Sequence, residues 1–299
     1  MAVDLVAQGP YPKSNLFFSE DWENRAKRLG LSRKPFRFEF WRGIKIARPS
    51  TAVWADFERW PESDTVLKSI RMLINDGADW LVFRNLADAP QDLVQGTPGS
   101  LLPWSISPYL DLTRPLKVRK QTLAHLGRTE RKAERELGPV TLSFADDGDK
   151  QAWFKTWTTQ KRAADHMSES LFAVHKRWLL GAPLPPWIRL ATLQAGTTVL
   201  ATGLFYCWNG VFYYYAPAMN PDPALRKYGG GKLLVHKLTE QAIQEGCQVF
   251  DFLQGDHDYK FQWNPQFREL KQYIVPITLK GHIALMIMKL RRRIEGLFR

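Results

Sequence analysis

Apolar and charged positions alternate with a period of two at Phe36-Arg37-Phe38-Glu39-Phe40-Trp41, the pattern of a half-buried strand, and Arg42-Gly43 turns the chain into a second strand over 44–47. The period becomes helical over 64–75, where Val66, Leu67, Ile70, Leu73 and Ile74 share one face and Asp76-Gly77 ends the run. Trp80-Leu81-Val82-Phe83 reads as a third strand. Ahead of them lies a polar lead-in, 1–34, in which Ser19-Glu20-Asp21-Trp22-Glu23-Asn24 caps a short helix reaching Leu29. These elements make a small α/β unit without a catalytic motif. The turn-rich stretch 89–103 marks its boundary.

Beyond the boundary, a strand at 106–112 leads into a basic helix over 116–137, and two further helices are expected at 150–167 and 170–180. Trp153, Phe154, Trp157, Leu171, Phe172, Val174 and Trp178 supply their core positions, packing being the usual use of an aromatic stripe at helical spacing. Pro183-Leu184-Pro185-Pro186 breaks the chain, and strands follow at 187–193, 198–208 and 211–216. Asn209-Gly210 between the last two is a strong hairpin signal. A glycine cluster then opens an amphipathic helix carrying Leu233, Leu234, Leu238, Ala242 and Ile243, and an apolar strand follows at 247–253. One more strand is expected at 270–277. The divisions are therefore 1–104, an α/β unit; 105–280, a mixed central sheet flanked by helices; and 281–299, a basic amphipathic helix.

The glycine cluster carries the first chemistry. Arg226, Gly229 and Gly231 stand as R-x-x-G-x-G just before the helix. Glycine lets main chain approach a ligand closely, and a helix start presents free N–H groups and about half a positive charge, so such a loop can hold a pyrophosphate. The spacing fits neither the dinucleotide fingerprint nor the Walker loop. An ordinary glycine-rich turn before a helix would carry the same letters.

Charge and composition narrow the partners. A net charge of +12 suits an anionic one: nucleic acid, anionic lipid, coenzyme A or a polyanionic polymer. The basic helix sets Lys117, Arg119, Lys120, Arg128, Arg131, Lys132 and Arg135 against Glu130, Glu134 and Glu136, either a solvated face or a surface for an anionic acceptor or coenzyme phosphates. It lacks interleaved aromatics for base stacking, which disfavours nucleic acid. Cys207 and Cys247, both in apolar runs, read as buried thiols and fit a reducing cytoplasm. The six histidines have no metal-ligand spacing, so no metal is expected. No apolar run approaches the length of a membrane span, and the first ten residues lack the features of a signal peptide. In 281–299, from Gly281 to Arg299, Ile283, Ile287, Leu290, Ile294 and Leu297 share one helical face beside Lys289, Arg291, Arg292 and Arg293. Such a helix lies on an anionic bilayer or packs on protein, giving a cytoplasmic chain with a peripheral membrane contact as one option.

The loop together with Phe250-Asp251-Phe252-Leu253-Gln254-Gly255-Asp256-His257-Asp258-Tyr259-Lys260-Phe261-Gln262-Trp263 resembles the GNAT acyltransferases, and within them the CelD/BcsL-like branch associated with cellulose biosynthesis. The resemblance extends upstream through Ser107-Pro108-Tyr109-Leu110-Asp111-Leu112 and the basic helix to Gly138-Pro139-Val140, and so covers about residues 105–275. It implies a GNAT fold, with a GNAT-like α/β half before it, and acyl transfer from acetyl-CoA or another acyl-CoA by direct attack of the acceptor. Arg226, Lys227, Tyr228, Gly229, Gly230, Gly231, Lys232 and Tyr215 would bind the coenzyme. Tyr259 would protonate the leaving thiolate; Asp251, Asp256 or His257 would serve as base; Lys260 and Trp263 would lie at the acceptor. Each has a structural alternative: a core-edge hydrogen bond for Tyr259, pairing with Lys260 or Arg226 for Asp251, packing for Trp263. Where the branch often has Ser-Pro-Gly, this chain has three glycines, expected to loosen the loop. The branch implies a sugar of the cell envelope or an exopolysaccharide as acceptor. Two other readings stay open: a Fem-like aminoacyltransferase using aminoacyl-tRNA, and a catalytically silent adaptor of a polysaccharide synthase.

Overall fold

The structure, a computed structural model, describes residues 16, 19–31, 36–49, 63–86, 99–164 and 167–297. In chain order the elements are α1 (Glu20–Arg28), β1 (Phe36–Trp41), β2 (Ile44–Pro49), α2 (Ser63–Asn75), β3 (Trp80–Leu86), β4 (Ser100–Asp111), α3 (Lys120–Leu137), β5 (Val140–Ala145), α4 (Lys150–Ala164), α5 (Glu169–Leu180), β6 (Ile188–Ala195), β7 (Thr198–Trp208), β8 (Val211–Met219), a 3-10 turn (Pro223–Tyr228), α6 (Gly230–Gln244), β9 (Val249–Asp251), α7 (Asp258–Phe261), β10 (Gln266–Pro276) and α8 (Leu279–Leu297). The chain forms two compact units, Met1–Gly30 with Ile106–Arg268, and Leu31–Ser105 with Glu269–Arg299.

The first unit is a mixed sheet in the order β4-β9-β8-β7-β6-β5. All neighbours are antiparallel except β8 and β9. Asn209 and Gly210 both take positive φ, 47° and 76°, the geometry of the tight turn that joins β7 to β8. One face of the sheet is packed with Phe205, Phe212, Tyr214, Phe250 and Phe252 against Leu126 and Ala133 of α3 and Leu233, Leu234 and Leu238 of α6. On the other face, Trp157 of α4 donates its indole N–H to the Ala216 carbonyl at 3.0 Å. Helix α1 belongs here because Trp22 lies 4.6 Å from Trp178 and 5.4 Å from Tyr206 between ring centroids, and because buried Arg25 donates to the carbonyls of Trp178 and Pro183. Cys207 and Cys247 are free thiols with their Sγ atoms 3.4 Å apart.

The second unit orders its strands β1-β2-β3-β10, with β2 and β3 parallel and the other pairs antiparallel. Ala47, Val66, Leu73, Leu81, Phe83, Tyr273 and Val275 form one core, and Ile46, Trp80, Val82, Ile274 and Leu285 another. Among the described residues no helix is long and apolar enough to cross a membrane.

The divisions differ from those expected along the chain. The lead-in helix joins the first unit through Trp22 and Arg25, and the segment from Glu269 onward joins the second through β10 and Leu285. Of the expected boundary 89–103, residues 89–98 lie outside the described residues, and Ser100 already opens β4. Strand β5 alternates Val140, Leu142 and Phe144 with polar residues, a period-two pattern hidden behind the basic helix.

Buried His175 carries a pH dependence. Its Nδ1–H donates to the Leu171 carbonyl at 2.8 Å, its Nε2 stands 3.4 Å from the Tyr215 hydroxyl, and burial lowers its pKa from 6.5 to about 4. The unfolded chain takes up this proton at higher pH than the folded chain does, so stability falls as pH drops through that window. Between pH 7 and pH 5 the loss should be about 2 kcal/mol, read from urea unfolding at each pH, and His175→Gln should remove it. Equal pH slopes in the two proteins would show that the imidazole is hydrated in the folded state.

Candidate active site

The site begins where two parallel strands stop pairing. Strands β8 and β9 are in register at Val211–Val249, Phe212–Phe250 and Tyr213–Asp251, and β9 ends there. Strand β8 runs on to Met219, with its other edge still paired to β7 as far as Ala201. Over 214–219 no described strand covers the β9 side of β8. A strand edge left this way offers main-chain hydrogen bonds to whatever enters beside it.

Asp251 holds the branch point. It is fully buried, the Ser107 hydroxyl donates to its Oδ1 at 2.9 Å, and the Leu253 N–H donates to the same atom at 2.7 Å. Leu253 has a φ of +61°, an unfavourable conformation for a side chain with a Cβ, and the bond from its N–H helps hold it there. The chain thereby leaves the direction of β9 and turns away from β8. Lys260, expected at the acceptor, is also buried: its ammonium donates to the carbonyls of Leu253, Gln254 and Gly255 at 3.1, 2.8 and 3.2 Å. Trp263 lies in the core, 6.3 Å from the His236 ring. Lys260 builds the turn and Trp263 the core, and neither offers an exposed group.

At the far end of β8 the chain is pinned before it reaches the glycines. The Asn220 N–H donates to the Leu200 carbonyl, its amide donates to Val199, and Asp222 caps the 3-10 turn through the Ala224 N–H. Buried Tyr228 donates its hydroxyl to Glu136 of α3 at 2.8 Å, and the Lys227 ammonium reaches the same oxygen at 2.9 Å. These two bonds hold the Glu136 carboxyl down to about 2. Gly229 has a φ of +59° and is the N-terminal cap of α6, with no side chain capping the helix. Gly230 and Gly231 form its first turn, where N–H groups have no carbonyl before them within the helix. The three glycines thus form a defined helix start in place of the looser loop expected. A Cβ at Gly231 would meet Met219 Sδ at 3.0 Å, and one at Gly230 the Leu200 carbonyl at 3.1 Å, so close packing also favours glycine there.

Cations gather at this helix start. The pKa of His125 on α3 is lowered by burial and then by the charges of Lys232 and Arg128, which puts all three in one electrostatic neighbourhood. Gly229 approaches Thr129, one position beyond Arg128. Arg226 is exposed on the preceding turn. His125 and Thr129 were not apparent as site residues in the sequence, because their proximity depends on how α3 packs; Arg128 stood out only as one charge of a basic helix. An uncapped helix start with Lys232 and Arg128 beside it fits a phosphate or pyrophosphate group.

Tyr259 bridges the two diverging strands. Its ring centroid lies 6.4 Å from Tyr214 on β8 and 6.4 Å from Phe252 just past β9. Burial raises its pKa above the ordinary tyrosine value, so the phenol keeps its proton at neutral pH. His257 stacks on it at 6.2 Å, and His257 and Asp256 are both exposed. Tyr215 lies on the face of β8 opposite Tyr214, with its hydroxyl near His175 and its ring 5.1 Å from Tyr206. Tyr259, His257 and Asp256 therefore lie along one short segment, whereas Tyr215 belongs to the α5 side. Among the described residues no cluster of His, Cys, Asp and Glu could hold a metal ion.

Residues 120–261 match a family described as an acetyltransferase (GNAT) domain. No curated protein matches the chain. Several solved structures do. A C-terminal domain (DUF2156) assigned to a lysylphosphatidylglycerol synthetase of Agrobacterium fabrum superposes with a TM-score of 0.57 at 11% identity, covering 88% of this chain and 94% of that one. The L-PGS of Bacillus licheniformis gives 0.55 at 12%, covering 86% and 84%. FemX gives 0.56 at 10%, covering 93% and 96%. At such identities the likeness is one of fold, and that fold is the GNAT fold. The family match supports GNAT-type acyl transfer as the chain's chemistry.

Removing the carboxylate at the branch point should be costly. Asp251→Ala leaves buried donors of Ser107 and Leu253 unsatisfied, and should lower unfolding free energy by about 2–4 kcal/mol in urea titrations. Ser107→Ala should cost about 1 kcal/mol. A loss well below 1 kcal/mol in Asp251→Ala would mean that the turn holds without it.

Proposed function

We propose that the chain transfers an acyl group from a coenzyme A thioester directly to an amine or hydroxyl acceptor. The observation that carries this reading is the opening between β8 and β9, with the uncapped start of α6 at one end and Tyr259 across it. The first-turn N–H groups of α6, with Lys232 and Arg128, would hold the pyrophosphate. When bound there, the coenzyme supplies an acyl carbon activated as a thioester. A main-chain N–H on the open edge of β8 donates to the acyl oxygen as charge develops on it. Tyr259 keeps its proton at neutral pH and donates it to the departing sulfur. The acceptor's own proton leaves through Asp256 or His257, two exposed groups on the same segment. For the acceptor, the signature over 250–263 favours a sugar of the cell envelope or of an exopolysaccharide.

A second reading keeps the fold and changes the donor to an aminoacyl-tRNA. Its support is the superposition on FemX and on the two lysylphosphatidylglycerol synthetase structures over most of both chains. The net charge of +12 suits either donor.

Calorimetric titration with acetyl-CoA, a long-chain acyl-CoA, desulfo-CoA and an aminoacyl-tRNA separates the two. Micromolar affinity for the coenzyme species, about −8 kcal/mol, is the expected outcome. Binding of the tRNA alone would replace the first reading with the second. Once an acceptor is in hand, Tyr259→Phe should lower kcat by about 10²–10⁴-fold with coenzyme affinity unchanged. An unaltered kcat would leave Tyr259 as a packing residue.

A further inference from the structure

Helix α8 is apolar on two opposite sides, and only one of them is used inside its own unit. Gly281 and Leu285 are buried, and Ala284 and Met288 are half-buried. The Trp80 indole N–H donates to the Gly281 carbonyl at 2.7 Å, and a Cβ at Gly281 would meet the Asp79 carbonyl at 2.3 Å. This side is the one that packs. At about 100° per residue, Leu279, Ile283, Met286, Ile287, Leu290 and Ile294 form a second stripe on the other side. All six are exposed, Met286 by 66%, Ile287 by 62% and Leu290 by 60%. The same spacing sets Arg291 along one border of this stripe, beside Lys280, whose ammonium is held by Asp79 at 3.2 Å, and Lys289 and Arg293 along the other.

A groove of about 430 Å³ lies beside the stripe, within the same unit. Trp41, Ile44, Ile287 and Met288 make its apolar lining, and Arg42, Arg291 and Arg292 its charged groups. Trp41 is fixed by stacking on Trp80 at 5.8 Å, Arg42 lies over the Trp41 ring at 5.4 Å, and Arg292 donates to the Pro103 carbonyl at 3.0 Å. A groove lined by apolar side chains together with three guanidinium groups matches an amphiphile with an anionic head and a hydrocarbon chain.

We infer that this face of α8 and its groove dock on a bilayer surface containing anionic phospholipid. Charge decides between this occupant and a second copy of the chain. Leaving aside Lys280, which is paired with Asp79, helix α8 carries Lys289, Arg291, Arg292 and Arg293 against the single acid Glu295, so two such faces brought together would repel. Exposed Ile, Met and Leu give nothing for bases to stack on, whereas aliphatic chains enter the acyl region of a bilayer with their flanking cations at the phosphates. The helix is too short of apolar residues to span, so it lies in the plane of the interface. This inference does not depend on which donor the acyltransferase unit uses.

Point substitutions test it better than truncation, since removing α8 would also uncover the core around Leu285. The intact protein is floated with vesicles of phosphatidylcholine alone and of phosphatidylcholine mixed equally with phosphatidylglycerol. Binding should require the anionic lipid and weaken with salt. The pair Ile287→Glu with Leu290→Glu, and the pair Arg42→Glu with Arg291→Glu, should each lower affinity by at least about tenfold. Ile283→Glu serves as a second apolar variant should the first pair misfold by circular dichroism. Ile243→Glu, at an exposed apolar position of the acyltransferase unit, should bind as the parent does. No flotation with anionic vesicles would overturn the inference. So would retained binding in both apolar variants, because surface charge alone would then explain it. A concentration-dependent dimer in sedimentation, abolished by Ile287→Glu and accompanied by no vesicle binding, would assign the face to a contact between copies instead.

Discussion

The acyltransferase unit depends on a parallel pair of strands that is made to part. Three residues of β9 pair with β8; two residues on, the chain takes a left-handed turn at Leu253, whose N–H donates to the buried carboxylate of Asp251. A buried carboxylate is expensive unless its oxygens are satisfied, so Ser107 of β4 and the main chain of the turn are required parts of the arrangement. Lys260 then binds three carbonyls of the same turn, which fixes where Tyr259 stands, one residue earlier. The opening, the turn and the phenol across it are thus consequences of one strand end.

The other end of β8 follows a different physical rule. There the helix start is left without a side-chain cap, an arrangement that wastes favourable hydrogen bonds unless something else accepts them. The surrounding charges agree with an anion. On α3, Glu130 is taken by Lys237 and Glu136 by Lys227 and Tyr228, so the acids of the basic helix serve to hold α6 and the 3-10 turn in place. Lys232 lies in the first turn itself, and its charge and that of Arg128 both act on His125 of α3. The acids of the basic helix thus form ion pairs with α6 and the 3-10 turn, and the phosphate-side role belongs to the proposal.

Much of this was legible along the chain, and the reasons are local. The Asn209-Gly210 hairpin, the strand Phe36–Trp41 and the helix Ser63–Asn75 come from patterns within a few residues, and each element is found where expected, although Phe38, Phe40 and Ile74, read as core-side positions, are exposed. The glycine run before α6 was visible for the same reason. What escaped needs three dimensions. Lys260 and Trp263 look like ligand groups in a motif, yet burial converts the first into a carbonyl clamp and the second into core. Tyr215 and Tyr214 are adjacent letters on opposite faces of one strand, and only pairing tells which one looks toward α6 and which toward His175. The N-terminal helix joins the acyltransferase unit through Trp22 and Arg25, contacts more than 150 residues away in sequence.

The glycines show how packing and ligand binding come to share one requirement. Gly229 is needed for its positive φ, and Gly230 and Gly231 bring the helix within contact of Leu200 and Met219. That closeness draws the α6 start against the end of β8, so any group held by the helix N–H groups also lies beside the uncovered strand edge. A bulkier residue would push the helix outward and separate the anion site from the edge where the acyl group would lie. A glycine that is explained by packing is therefore not thereby removed from function: the packing is the means by which the helix start and the open strand are held within reach of one ligand.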